Sequence, residues 1–140
     1  MRGPSAWSIG ERELMAALVA KWNACLYCTD VHSVVAATHV GTASVDAVLS
    51  NYCSAPISPG LKATLAFLET MTRQPAELSD VHARAVLESG VSEQSLADAI
   101  AIGAVINLVT GYVNALNLTI PTADRRRRVA EVLVESGYSH

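Results

Sequence analysis

Two thiols and an imidazole sit close together near the start of this 140-residue chain: Cys25 and Cys28, separated by two residues, and His32 beyond them. On a helix, at about 100° per residue, the three fall within roughly 60° of one another and share a face. The cysteines are predicted in the first turn or so of that helix, where unpaired N–H groups and the helix dipole favour negative charge. A free cysteine ionises near pH ~8.5, and a helix N-terminus, a neighbouring imidazolium and C-x-x-C pairing each lower that value. The expected chemistry is that of a reactive dithiol, with His32 one turn past Cys28 to exchange a proton with it.

Glu13 enters through the elements that must carry it. If the first two helices form an antiparallel pair turning near Asn23, Glu13 lies about 15 Å before the turn and His32 about 13 Å after it, at ~1.5 Å per residue. The two side chains can then meet. A carboxylate there would fix the tautomer of the imidazole and take up its proton, as the third member of a triad does. Glu11, half a turn away, ranks second.

The same residues admit other readings. Two cysteines and a histidine can simply pack in a non-catalytic helical oligomer, and a general disulfide reductase needs the same pair without peroxide specificity. Cys25, Cys28, His32 and Glu13 are also potential zinc ligands. Structural zinc sites usually draw two ligand pairs from separate segments, however, and no second pair exists here, so no metal is expected. Haem attachment through C-x-x-C-H fails because Thr29 follows Cys28. Cys53 reads as an inert, semi-buried thiol.

The elements emerge from the periodicity, which is helical nearly throughout. Apolar residues recur every three or four positions over residues 8–22. Asn23 interrupts this helix and is placed to cap the next, over about 24–38, which Gly41 stops. A short helix is expected near 44–51, then a loop with Pro56 and Pro59. Ser58 and Pro59 have the types that open a helix, here over 59–73, and Pro75 ends it. Ser79 and Gly90 bracket another helix, Ser92 starts a long apolar one reaching about Leu116, and Pro121-Thr122 restarts the chain into a terminal helix. The fold class is all-α: six to seven helices in a compact bundle, one domain over residues 1–140.

Composition agrees. Residues are 51% hydrophobic but only 5% aromatic, and small aliphatic side chains let helices approach closely. A net charge of −3 argues against a nucleic-acid partner, and the arginines at 125–128 read as a solvated helix face. The opening residues lead into a charged amphipathic segment instead of a continuous apolar run, so no secretory signal is expected. With a C-x-x-C and an odd third cysteine, this points to a cytoplasmic chain. Residues 97–113 form the most apolar stretch. They include Asp98, Asn107, Thr110 and two glycines, short of the ~20 lipid-compatible residues of a span, so no membrane is expected. The stretch is too apolar all round for one small bundle to cover, which predicts burial between subunits.

The glutamate twelve residues before C-x-Y-C-x-x-x-H, carried by Glu13-Leu14-Met15-Ala16-Ala17-Leu18-Val19 and Trp22-Asn23-Ala24-Cys25-Leu26-Tyr27-Cys28-Thr29-Asp30-Val31-His32, resembles the signature of the carboxymuconolactone decarboxylase-like superfamily, in its alkylhydroperoxidase D-like branch. Softer similarity to the peroxidase-related members of that branch runs on through residues 61–73, 79–90 and Asp98 to Asn114, so the resemblance covers roughly residues 8–120. It implies an all-α fold, a homo-oligomer (trimer or hexamer) and thiol-dependent reduction of a small hydroperoxide. No cofactor is implied, since the dithiol stores both electrons, and a dithiol or lipoyl-type reductant restores it. Carried over by position, Cys28 attacks the peroxide, Cys25 closes the disulfide and faces the external reductant, and His32 and Glu13 relay protons. Tyr27 stands where the best-known peroxidases carry a histidine, and the further N-terminal helices of many relatives do not precede Glu13. The decarboxylase activity is not implied, because those enzymes lack the cysteine pair.

Overall fold

A computed structural model describes residue 1, residues 3–118 and residues 122–137, apart from the side chains at 123, 126, 127 and 130. Seven α-helices make up nearly all of it: α1 (Ile9–Trp22), α2 (Leu26–Val40), α3 (Thr42–Asn51), α4 (Pro59–Arg73), α5 (Asp80–Glu88), α6 (Glu93–Ala115) and α7 (Ala123–Ser136). A single 3-10 turn, Pro75–Glu77, comes after α4, and no strand occurs among the described residues. The fold is all-α, as the periodicity predicts.

The helix starts are set by side chains that satisfy otherwise unpaired N–H groups. At α1, Ser8 Oγ accepts from the Glu11 amide at 3.2 Å while Glu11 Oε2 accepts from the Ser8 amide at 2.8 Å, a reciprocal capping box. Ser58 accepts from the Leu61 amide with Pro59 in the first turn, and Ser92 accepts from the Ser95 amide. Asn23 departs from expectation. It ends α1 instead of capping α2, whose N-cap is Cys25. The second helix therefore starts at Leu26 and runs to Val40, and α3 begins immediately after Gly41, whose φ of 83° turns the chain between them. Pro121, expected to restart the chain, lies outside the described residues.

Helix α1 is the central rod. Ten of its residues, from Gly10 to Ala20, are buried, and it packs on α2, α3, α4 and α6. Close approach to α2 is possible because residue 10 has no side chain: a Cβ there would stand 2.5 Å from Val40 Cγ1. Gly103 does the same for α6 against α4, where a Cβ would meet Leu68 at 2.8 Å. Helix α7 lies against α2.

Helix α6 has two characters. Leu96, Ala99, Ile102 and Ile106 pack in the core, while Val105, Leu108 and Tyr112 are exposed. Its 23 residues, with a mean hydropathy of 1.7 over the most apolar window, make it long and apolar enough to cross a membrane by length and composition. This exceeds what the polar residues within it suggest. Those residues instead tie the helix to the bundle, Asn107 and Thr110 to the α1–α2 turn and Asp98 to Ser5.

Candidate active site

The turn between α1 and α2 is fixed by α6. Asn23 Nδ2 donates to Asn107 Oδ1 at 2.7 Å and to Thr110 Oγ1 at 3.0 Å, and Asn114 Nδ2 donates to the Asn23 carbonyl at 3.0 Å. Asn107 in turn donates to Thr72 of α4. Ala24 adopts φ 52°, a left-handed conformation costly to a residue with a Cβ, which brings the Cys25 amide back to the Ala20 carbonyl at 2.9 Å. The Cys25 carbonyl then accepts from the Thr29 amide and hydroxyl, opening α2.

Cys25 thus stands at the helix cap, not inside the first turn, with Cys28 one turn further on and its thiol in contact with that of Cys25. Both cysteines are free. Neither is accessible: Cys25 is 1% exposed and Cys28 6%. Cys25 is buried in the folded chain instead of standing open at the helix tip. Ionisation departs as well. Burial first, then the adjoining Cys25 thiol, pushes Cys28 up from the ordinary 9.0 to about 12. Removal from water disfavours the charged thiolate. At rest Cys28 is a neutral thiol.

Glu13 and His32 meet as the antiparallel pair requires. His32 Nδ1 lies 2.7 Å from Glu13 Oε2, with Glu13 wholly buried and His32 7% exposed. Nδ1–H donating to the carboxylate leaves Nε2 as the acceptor, on a ring one helical turn beyond Cys28. Glu11, the second-ranked carboxylate, is occupied by the α1 cap. Tyr27 is half-buried beside a groove of about 470 Å³ formed with Leu26, Val113 and Asn114. Cys53 is exposed, unlike the semi-buried thiol expected, because α3 ends before it. Among the described residues no group of three or more His, Cys, Asp and Glu is disposed to hold a metal.

A second cavity, of about 450 Å³, is lined by His32 and opens between α1, α6 and the N-terminal segment. One wall is apolar, from Ile102, Val105, Ile106 and Val109, and Arg12 lines it as well. The segment over it is tied down by Trp7 Nε1 donating to the Ser95 carbonyl at 2.8 Å, Ser5 Oγ to Asp98 at 2.6 Å and Arg12 Nη1 to the Gly3 carbonyl at 2.8 Å. Sequence pattern alone does not single out Arg12 or Asn23 for these roles. The available signals are a charge directly ahead of an apolar run at residues 14–20, and polar residues in α6 aligned with the turn.

No family model and no curated protein matches the chain. Solved structures do. An uncharacterized peroxidase-related protein from Silicibacter sp. TM1040 superposes with a TM-score of 0.82 at 25% identity, covering 90% of this chain and 66% of that one. An alkylhydroperoxidase AhpD core, an uncharacterized peroxidase-related protein from Ralstonia eutropha JMP134, gives 0.80 at 26%, covering 89% and 65%. The chain thus spans just under two thirds of the length of either relative. In fold, the chain is similar to these alkylhydroperoxidase AhpD core and peroxidase-related proteins.

Proposed function

We propose that the chain is a thiol-dependent peroxidase, an oxidoreductase that reduces hydroperoxides through a Cys25/Cys28 dithiol–disulfide cycle with His32 and Glu13 as proton relay. The observation that carries this reading is the buried Glu13–His32 pair one turn from a neutral thiol. A thiol held near pKa 12 needs a base beside it when peroxide arrives, and an imidazole braced by a carboxylate is such a base.

In the first step the Cys28 proton passes to His32 and the thiolate attacks the terminal oxygen of R–O–OH. The O–O bond breaks, Cys28 becomes a sulfenic acid, and the leaving alkoxide takes the proton from His32 as R–OH. Cys25, already in contact with Cys28, then displaces water and closes the disulfide. A dithiol or lipoyl-type reductant returns both cysteines to thiols and leaves as its own disulfide. Because Cys25 is buried, that exchange requires the turn at residues 23–25 to yield. Self-association, as a trimer or hexamer, belongs to the same reading and is supported by the exposed apolar face of α6.

Thiol counting tests the proposal. One equivalent of peroxide should remove two thiols as an intramolecular disulfide. In Cys25→Ser it should instead leave a sulfenic acid on Cys28, which dimedone labels and mass spectrometry locates. In Cys28→Ser, Cys25 should react with peroxide slowly. Equal labelling rates in the two variants would overturn the assigned roles, and unchanged thiol counts in the wild type would overturn the peroxidase reading.

A further inference from the structure

We infer that the cavity beside His32 is an organic-acid site, in which Arg12 binds the carboxylate of a ligand whose apolar body lies along α6. The substrate class is then a hydroperoxide that also carries a carboxylate. The reaction part of this inference rests on the peroxidase reading above; the binding part does not.

Arg12 brings a nearly buried charge to the cavity wall. Arg12 is only 8% exposed, and buried charges are ordinarily paired. Its described acceptors are neutral: the Gly3 carbonyl at 2.8 Å from Nη1 and the Ser8 carbonyl at 3.4 Å from Nε. Among the described residues Nη2 has no acceptor, and no carboxylate lies within ion-pair distance of the guanidinium. The carboxylates of Glu11, Glu13 and Asp98 have other hydrogen-bond partners. Glu11 holds the α1 cap and Glu13 holds His32. Asp98 feels the charge of Arg12 but spends its oxygens on Ser5 and Gln94, which hold its carboxyl below the usual range. A guanidinium placed this way retains N–H donors for an anion from outside.

The shape of the cavity selects which anion. About 450 Å³ falls in the range of pockets that enclose small organic molecules, roughly 300–1,000 Å³, and far exceeds what hydrogen peroxide fills. Part of the cavity wall is aliphatic, from Ile102, Val105, Ile106 and Val109. Met1 and Asp98 line the cavity as well, the Asp98 oxygens held by Ser5 and Gln94, so a single carboxylate on an apolar body suits it better than a doubly charged phosphate ester. His32 lines the same cavity, so a ligand anchored on Arg12 brings its remaining length past the relay.

Calorimetry on the reduced full chain with octanoate and octanol tests this without requiring turnover. Octanoate should bind at least about tenfold more tightly than octanol, the range expected of a hydrogen bond to a charged group, and Arg12→Gln should erase the preference. Val105→Trp, at an exposed position on the cavity wall, should weaken octanoate at least about tenfold and keeps the test open if Arg12→Gln does not fold. Equal affinity for the two probes in the wild type, a preference that survives in folded Arg12→Gln, or unchanged octanoate binding in Val105→Trp would each overturn the site. With turnover, a carboxylate-bearing hydroperoxide should exceed its methyl ester in kcat/KM in the wild type, and equal values would overturn the substrate class. Octanoate binding without oxidation of the cysteine pair by any peroxide would leave the site standing and remove the peroxidase reading. Peroxide-driven disulfide formation without octanoate binding would do the reverse.

Discussion

Chemistry at the scale of single residues is decided by what burial does to charge. Glu13 is wholly buried and meets the ring of His32, so Glu13→Gln keeps the shape and removes the proton acceptor. Peroxide consumption should fall by about 10²–10⁴-fold with the helical spectrum retained, and an unchanged rate would take Glu13 out of the relay. Cys28 makes a prediction about stability. Its pKa in the folded protein, about 12, lies above the ordinary 9.0, so the folded state keeps a proton that the unfolded chain gives up. This contribution is fully present below pH 9 and is lost as pH rises towards 12. Tyr52, pushed upward by burial and its hydrogen bond to Glu69, adds to the same alkaline loss. Urea midpoints under reducing conditions should therefore fall more steeply above about pH 9 in the wild type than in Cys28→Ser. The difference in slope is on the order of 1 kcal/mol per pH unit, and parallel slopes would contradict a raised Cys28.

Among the elements, the α1–α2 turn carries the most consequence, because three residues at 23–25 convert the register of one helix into the position of a thiol. Asn23 fills its donors with Asn107 and Thr110. Asn23→Ala leaves the Asn107 oxygen without that donor and should cost about 1–3 kcal/mol in chemical denaturation. It should also speed reduction of the Cys25–Cys28 disulfide by dithiothreitol, since the turn that shields Cys25 is less firmly held. Unchanged stability together with an unchanged reduction rate would show that α6 does not position this turn.

At the scale of the whole molecule, α6 is asymmetric in a way the bundle alone does not resolve. Its inner face packs in the core, yet Val105, Leu108 and Tyr112 face outward. Large exposed apolar patches mark contact surfaces, and self-association is the expected outcome. Light scattering at micromolar concentration should give a trimer or hexamer, and Leu108→Glu should shift it towards monomer with helical content intact. A monodisperse wild-type monomer would remove the oligomer from the proposal.

Much of this molecule was legible in local pattern. Helical periodicity, serine caps and the Gly41 and Gly90 stops are short-range signals, and they located the helices to within a few residues. The meeting of Glu13 with His32 was also foreseeable, because two rods of known rise joined by a short turn bring equidistant residues together. Other features depend on contacts between residues far apart in sequence. Asn23 reads locally as a cap for the second helix, but its partners lie more than eighty residues away on α6. A helix N-terminus reads locally as acidifying, but the desolvation that raises Cys28 comes from the helices packed around it. Arg12 reads locally as a surface charge ahead of an apolar run. Only α6 and the folded-back N-terminal segment enclose it beside His32. Sequence spacing determined which groups share a face and can meet. Tertiary packing decided how much water reaches them, and with that their charge and accessibility.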